Sequence, residues 1–137
     1  MSKSLAADQM FKAQTKRIKT YFGKNALDNV QIDTFCRKLF GVKWRGVNGQ
    51  DKIIYKPGFQ IINTDTSDKP GTHWVALYIT NKTIYVYDSF GRKTKNLLKI
   101  LTREAKAKNI KMMDSKPDAE QFGKSEVCGH LSIAWLI

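Results

Sequence analysis

Two β-rich runs separated by two residues constrain the fold of this chain more than any other feature of its sequence. The runs span residues 73–80 (HWVALYIT) and 83–90 (TIYVYDSF), and the two residues between them are enough for a tight hairpin turn. If the runs pair directly across that turn, Asp88 lies one diagonal step from His73 on the same face. Diagonal neighbours in an antiparallel pair are about 7–8 Å apart, so an imidazole and a carboxylate can meet there.

The rest of that face is apolar, so the histidine and the aspartate stand at one end of a hydrophobic surface. Its other members are Val75, Leu77, Ile79, Ile84 and Val86. Because an unpaired buried charge is costly and a carboxylate fixes the tautomer of an imidazole, the pattern favours a pair between His73 and Asp88. A structural pair at the end of a sheet and a catalytic pair explain this pattern equally well.

A cysteine stands at the predicted start of the last helix. This helix is predicted from the spacing of Leu131, Ala134 and Trp135. Ser125 stands where an N-cap would put Cys128 in the first turn, and the unpaired amides and positive dipole at such a position stabilise a thiolate, the nucleophilic form of cysteine. A buried structural cysteine is the alternative, and the frequent burial of free cysteine favours it when this segment is taken alone.

Three neighbours of Cys128 bear on its chemistry. The amides at the helix start can stabilise an oxyanion as well as a thiolate, and Gln121, seven residues upstream, offers a further neutral donor. Gly129 places no side chain beside the sulfur, so we expect a substrate backbone to approach closely there. His130 is a competing base, but a residue two positions along a helix points away from the thiol.

Together these segments supply His73, Asp88 and Cys128 in that order, with Gln121 before the cysteine. A thiol acyl-transfer site needs a base, a group that orients the base, a nucleophile and an oxyanion donor. These four residues match the four roles, so the sequence predicts such a site.

Composition limits the class of protein. With 137 residues, 42% of them hydrophobic, the chain is long enough to form one domain with its own hydrophobic core. We expect this domain to consist of a basic N-terminal helix in residues 1–26, followed by its main part in residues 27–137. Two cysteines, Cys36 and Cys128, make no disulfide framework, and no apolar run approaches the roughly 20 residues that cross a bilayer. We therefore expect an intracellular monomer in a reducing setting, with no membrane contact and no metal site.

Periodicity and turn residues predict the remaining elements. The predicted helices cover residues 6–22, 29–40 and 94–108, and the further strands cover residues 53–55, 59–64 and 110–113. Asn29 is the expected cap of the second helix and Gly41 its stop, while Cys36 faces the core and has no predicted catalytic role. The glycines and prolines from position 42 to position 60 indicate an irregular connection around the strand at 53–55.

The net charge of +12 at pH 7 predicts attraction to polyanions such as nucleic acid or an acidic protein surface. Four basic residues share one side of the helix predicted over residues 94–108, namely Lys95, Lys99, Arg103 and Lys106. A second basic group near the N-terminus consists of Lys12, Lys16 and Lys19. Such faces can bind DNA phosphates without sequence preference, and simple solvation of a charged surface explains them about equally well.

Several short motifs, taken in order, resemble one group of proteases. They are Gly71-Thr72-His73-Trp74, Tyr87-Asp88-Ser89-Phe90-Gly91, and Gln121 seven residues before Cys128-Gly129. This order is similar to that of the adenovirus maturation protease and the related proteases of virophages and other large DNA viruses. It is more distantly similar to the Ulp-type proteases of SUMO and ubiquitin-like proteins. The resemblance covers residues 27–135.

The resemblance implies an α+β, papain-like cysteine protease with a small mixed or antiparallel sheet packed on the helix that begins near Cys128. It implies that His73 is the base and that Asp88 orients it. Cys128 is then the nucleophile and Gln121 an oxyanion donor. The implied substrates are viral structural precursors cleaved next to glycine, in the virion and at the assembly site. Adenovirus enzymes have glutamate at the acidic position and Ulp-type enzymes aspartate, so this detail does not separate the two branches.

The resemblance also raises the question of activators, because the adenovirus enzyme uses viral DNA and a disulfide-linked peptide. The charge of this chain is compatible with DNA as an activator, but Cys36 on a core face does not fit the peptide, and the chemistry itself requires no cofactor. Two alternatives stay open. A Ulp-type processing enzyme would share the whole site, whereas a non-catalytic basic nucleic-acid-binding module would need none of the triad.

Overall fold

The computed structural model describes residues 5–23, 27–64, 73–89, 92, 94–114 and 128–137. The helices in these ranges are α1 (Leu5–Phe22), α2 (Asn29–Phe40), α3 (Thr94–Leu97), α4 (Lys99–Ala107) and α5 (Cys128–Leu136). The strands are β1 (Trp44–Gly49), β2 (Gly58–Asn63), β3 (Trp74–Ile79), β4 (Thr83–Tyr87) and β5 (Lys111–Asp114). A short 3₁₀ turn, Gly41–Lys43, joins α2 to β1.

In the described part of the chain, the strands form one five-stranded sheet in the order β1-β2-β3-β4-β5. The sheet is mixed, because β3 runs antiparallel to β2 and β4, whereas β1 is parallel to β2 and β5 is parallel to β4. The Thr80 amide bonds to the Thr83 carbonyl at 2.9 Å, and Ile79 pairs with Ile84. The predicted hairpin register and the predicted α+β class with a mixed sheet are therefore confirmed.

Helices cover both faces of the sheet, and α5 lies on the face opposite α4. On the α5 side, the core contains Phe11, Ile18, Ile32, Cys36, Ile61, Ala76, Tyr87, Leu131 and Ile133. On the α4 side, it contains Val75, Leu77, Ile79, Ile84, Val86, Leu98, Leu101 and Ala105. The predicted apolar face of the hairpin is thus the one covered by α4, while the cysteine helix approaches from the other side.

The ends of α1 and α2 follow local rules, with one correction. Gly23 ends α1 at a φ of 81°, where a residue without a side chain is favoured. The cap of α2 is Asp28 and not the predicted Asn29. The Asp28 carboxylate accepts from the Gln31 amide at 2.8 Å and the Gln31 side chain accepts from the Asp28 amide at 3.0 Å, a reciprocal arrangement that satisfies two donors at once.

The structure also corrects the prediction for the connection between α2 and β2. Residues 44–49 form strand β1, although they were predicted to be irregular, and residues 53–55 form no strand. The Ile54 amide and carbonyl bond to the buried side chain of Gln60 at 3.2 Å and 2.7 Å. The Gln60 carboxamide therefore satisfies the backbone N–H and C=O of Ile54, which would otherwise need a neighbouring strand as a partner.

The helix predicted over residues 94–108 is divided into two by Leu98. This buried residue adopts φ −126° and ψ 74°, which lies outside the helical region. The prediction that Lys95, Lys99, Arg103 and Lys106 form one continuous stripe is therefore wrong. Lys95 belongs to α3, and the exposed basic residues of α4 are the other three.

Candidate active site

His73 and Asp88 lie immediately outside β3 and β4, at one end of the hairpin. Both residues are buried, with 7% and 4% of their surfaces exposed. The Nε2 atom of His73 is 2.5 Å from Oδ1 of Asp88. This contact orients the ring and leaves its Nδ1 atom for another partner.

Arg92 binds the second oxygen of the same carboxylate. Its backbone amide and its Nε atom donate to Oδ2 of Asp88 at 3.0 Å and 2.9 Å. Burial opposes the charge on Asp88, but the bonds from His73 and Arg92 prevail and hold the pKa of this carboxyl well below its usual range. Asp88 is therefore a carboxylate with a fixed orientation whenever the protein is folded near neutral pH.

The thiol of Cys128 completes the cluster at the first residue of α5. The sulfur lies beside the His73 side chain, so the carboxylate, the imidazole and the thiol form one cluster. The backbone amide of Trp74 also donates to the sulfur, at 3.5 Å. Cys128 is half-buried, whereas Cys36 is fully buried.

The imidazole and the thiol shift each other's pKa in opposite directions. Burial opposes the imidazolium, yet the bonds with Asp88 and Cys128 raise the pKa of His73 above its ordinary value. Burial likewise opposes the thiolate, yet the bond with His73 and the amides of Trp74 and Gly129 lower the pKa of Cys128. The arrangement favours a thiolate beside an imidazolium, which is the reactive form of a thiol acyl-transfer site.

The comparison with known proteins agrees with this geometry. A family profile described as "Ulp1 protease family, C-terminal catalytic domain" matches residues 44–128. The match covers more than half of the chain and contains His73, Asp88 and Cys128. The chain belongs to the Ulp1 protease family. It is therefore a cysteine protease. No curated protein matches the chain significantly.

The part of the chain that matches the Ulp1 family begins at β1, so α1 and α2 lie outside it. Both helices nevertheless pack close to the cysteine helix. The ring of Phe11 on α1 meets that of Tyr87 at 5.9 Å, and the backbone of Leu27, just before α2, accepts a bond from the Trp74 indole at 3.0 Å. The surroundings of the Ulp1-type site therefore include residues of the N-terminal helices.

Gly129 has a different role from the predicted one, since it is buried and faces the protein. A Cβ atom at this position would lie 3.2 Å from Cδ1 of Trp74 and 3.3 Å from Cβ of Leu27. The missing side chain thus lets Trp74 pack directly on the first turn of α5. Close approach is required here by the core and not by a substrate backbone.

His130 lies away from the thiol, as its position on the helix indicates. Its Nε2 atom is 2.6 Å from the carbonyl of Gly23, and its ring meets that of Phe22 edge-on at 6.4 Å. Burial and the nearby charge of Lys19 lower the pKa of His130, although its bond to the Gly23 carbonyl acts in the opposite direction. This neutral histidine fastens the end of α1 to α5.

Several predicted residues are not part of the described cluster. Gln121 and Ser125 lie outside the described residues. Lys99, Arg103 and Lys106 are exposed on α4, on the face of the sheet opposite Cys128. Cys36 is fully buried, and its burial with the nearby charge of Asp33 raises its pKa to about 12.

Sequence reasoning missed Arg92 and the amide of Trp74. A signal for Arg92 exists, because an arginine four residues after an acid, with a glycine between them in the sequence, can fold back onto that carboxylate. No such signal exists for the Trp74 amide, since every residue except proline carries one.

Proteases of the Ulp1 family need no cofactor for their chemistry. Within the described ranges, no cluster of three or more His, Cys, Asp or Glu side chains is placed to hold a metal ion. None of the helices described here is long and apolar enough to cross a bilayer.

Proposed function

We propose that this Ulp1-family protease is an endopeptidase that cleaves next to glycine in viral structural precursor proteins during virion maturation. The observation that supports the peptidase reaction is the His73 imidazole, which lies 2.5 Å from Asp88 and beside the Cys128 thiol. The choice of substrate is supported by the order of the motifs around these residues, which resembles that of the viral maturation proteases.

In the proposed reaction, His73 and Cys128 react as an imidazolium and a thiolate. The sulfur attacks the scissile carbonyl carbon, and the His73 proton moves to the leaving amine. Asp88 keeps its charge throughout and stabilises the imidazolium at 2.5 Å. Water then attacks the thioester, with His73 as the base, and releases the carboxylic acid and the free thiol.

The proposed oxyanion hole consists of the backbone amide of Cys128 and the side chain of Gln121. The amide is supported by the position of Cys128 as the first residue of α5, where backbone donors have no partner within the helix. The part played by Gln121 is supported by its spacing of seven residues from the cysteine, which the viral proteases share.

A Ulp-type enzyme that processes ubiquitin-like precursors is the second candidate, because the family match covers the whole triad and such an enzyme would use it in the same way. Labelling with an electrophilic peptide ending in glycine, followed by mapping of the modified residue, tests the shared chemistry. We expect modification at Cys128 and none in Cys128→Ala. Modification elsewhere, or none, contradicts the peptidase proposal.

Substrate preference separates the two candidates once labelling succeeds. Capsid-derived peptides and a ubiquitin-like precursor are incubated with the same enzyme, with Cys128→Ala as the matched control. Cleavage of the capsid-derived peptides supports the maturation protease. Cleavage of the ubiquitin-like precursor alone contradicts it and supports the processing enzyme.

We also propose weak, sequence-independent DNA binding, with DNA as an activator of the enzyme. The proposal is supported by the net charge of +12 and by exposed basic residues on two helices. On α1, Lys12 and Lys16 face outward, while Phe11 and Ile18 on the buried side belong to the core that contains α5. A polyanion on α1 would therefore bind a helix that directly supports the nucleophile, whereas α4 lies across the sheet.

A reducing intracellular setting and a monomeric state remain predictions for this protease. The two cysteines are free thiols, one buried and one half-buried, which agrees with a reducing setting.

A further inference from the structure

The hydrogen-bond ladder between β3 and β4 stops close to the catalytic cluster. Its last pair joins Ala76 and Tyr87. Hydrogen-bonded pairs alternate along an antiparallel hairpin, and the amide of Thr80 bonds to the carbonyl of Thr83. In the same register, the next residue to exchange both backbone bonds with β4 would be Trp74.

Helix α5 occupies both backbone groups of Trp74. The Trp74 amide lies 3.5 Å from the sulfur of Cys128, and the Trp74 carbonyl accepts a bond from the Ser132 hydroxyl at 3.3 Å. Cys128 and Ser132 are four residues apart and therefore share one face of the helix. A single residue of β3 is thus bound at two points, one helical turn apart, and the helix takes the place of a continuing strand.

Burial and neighbouring contacts keep the Ser132 hydroxyl and the Trp74 carbonyl in place. Ser132 is fully buried, and Trp74 is fixed in addition by its indole, which donates to the Leu27 carbonyl at 3.0 Å and packs against Gly129. The amide and the carbonyl of one residue point to the same side of a strand, so a bond that holds the carbonyl also aims the amide.

We propose that Ser132 is a positioning residue for the nucleophile: by binding the Trp74 carbonyl, it holds the Trp74 amide against the Cys128 sulfur, where that amide stabilises the thiolate. This inference rests on the proposed role of Cys128 as the nucleophile. Ser132 itself touches neither the sulfur nor the substrate, and it acts only through the backbone of Trp74.

The test is the pH dependence of Cys128 alkylation by iodoacetamide in Ser132→Ala. We expect the alkylation profile to move to higher pH. At a pH below the pKa of the thiol, the rate should fall by about 2-fold to 10-fold, which corresponds to the loss of one hydrogen bond. A purely structural role for Ser132 would lower stability but leave the profile of the folded protein unchanged.

Two further variants make the result specific. Ser132→Thr keeps the hydroxyl and should restore the wild-type profile. Ile133→Val changes a buried neighbour on the same helix that does not bond to Trp74, and it should not shift the profile. A wild-type profile in folded Ser132→Ala, or an equal shift in Ile133→Val, would overturn the proposal.

A second measurement applies to the wild-type protein and covers the case in which Ser132→Ala does not fold. With ¹⁵N-labelled tryptophan, the amide resonance of Trp74 can be assigned by comparison with Trp44→Phe and Trp135→Phe. We expect it to titrate with the same midpoint as Cys128 alkylation. An amide that does not follow this ionisation contradicts the proposal.

Neither measurement requires a peptide substrate. If the profile shifts but no peptide is cleaved, the proposed peptidase function fails and the positioning role stands. If peptides are cleaved but the profile does not shift, only the role of Ser132 fails.

Discussion

Selective alkylation of Cys128 over Cys36 in the native protein tests the electrostatics of the site directly. The two thiols lie in opposite environments. Cys128 is half-buried beside His73, and the bonds it receives lower its pKa despite burial. Cys36 is fully buried in the core, where burial raises its pKa to about 12.

The expected preference can be worked out from these pKa values. At pH 7, a thiol with a pKa of about 12 is ionised in about one molecule in 10⁵. Cys128, with a pKa below the ordinary value of 9.0, is ionised in more than about one molecule in 10². The less basic thiolate is the weaker nucleophile, by about 20-fold for this difference. The net preference for Cys128 is then about 50-fold or more, before exclusion of the reagent from the core adds to it.

The assay is a short pulse of iodoacetamide at pH 7, followed by denaturation, a second isotopic form of the reagent and mass spectrometry of the two cysteine peptides. Denatured protein serves as the control, because both thiols should then react at similar rates. In His73→Ala, labelling of Cys128 should slow, since the base that lowers its pKa is gone. Equal labelling of both thiols in native protein would refute the reasoning.

Three other predictions concern the acid, the glycine beside the cysteine and the basic surface. Asp88→Asn should lower turnover by about 10²-fold or more. Because Asp88 helps to raise the pKa of His73, the alkaline limb of the pH–rate profile should also move to lower pH, and an unmoved limb would contradict this. Gly129→Ala should destabilise the protein by about 1–3 kcal/mol in urea denaturation, since its Cβ would lie 3.2 Å from the Trp74 ring, and an unchanged midpoint would argue against that contact. The log affinity for DNA should fall steeply with log salt, and less steeply once the three exposed basic residues of α4 are neutralised; a slope near zero in the wild type would exclude phosphate binding.

Local signals predicted much of this fold. The two-residue turn at positions 81–82 predicted the hairpin and, with it, the approach of His73 to Asp88. Glycine after an amphipathic run predicted the end of α1 at Gly23. Such features depend on contacts between residues close together in the chain, so a sequence pattern is enough to reveal them.

Where the sequence misled, distant parts of the chain supplied the missing interactions. Strand β1 has no alternating pattern and exists because β2 pairs with it. The side chain of Gln60 satisfies the backbone of Ile54, which removes the need for a strand there. The helix breaks at Leu98, a residue buried in the core, and no glycine or proline in the sequence indicates this break.

The chemical groups of the site and their order could be predicted from the chain alone, because a histidine, an acid and a cysteine in suitable local settings can be recognised from residue types and spacing. Tertiary structure decided how these groups are tuned. Arg92 binds the second oxygen of Asp88, and Trp74, which lies beyond the last β3–β4 pair, offers its amide to the Cys128 sulfur. A thiolate is stabilised by the donors that surround it in space, and here the donor Trp74 and the thiol of Cys128 are 54 residues apart in the chain.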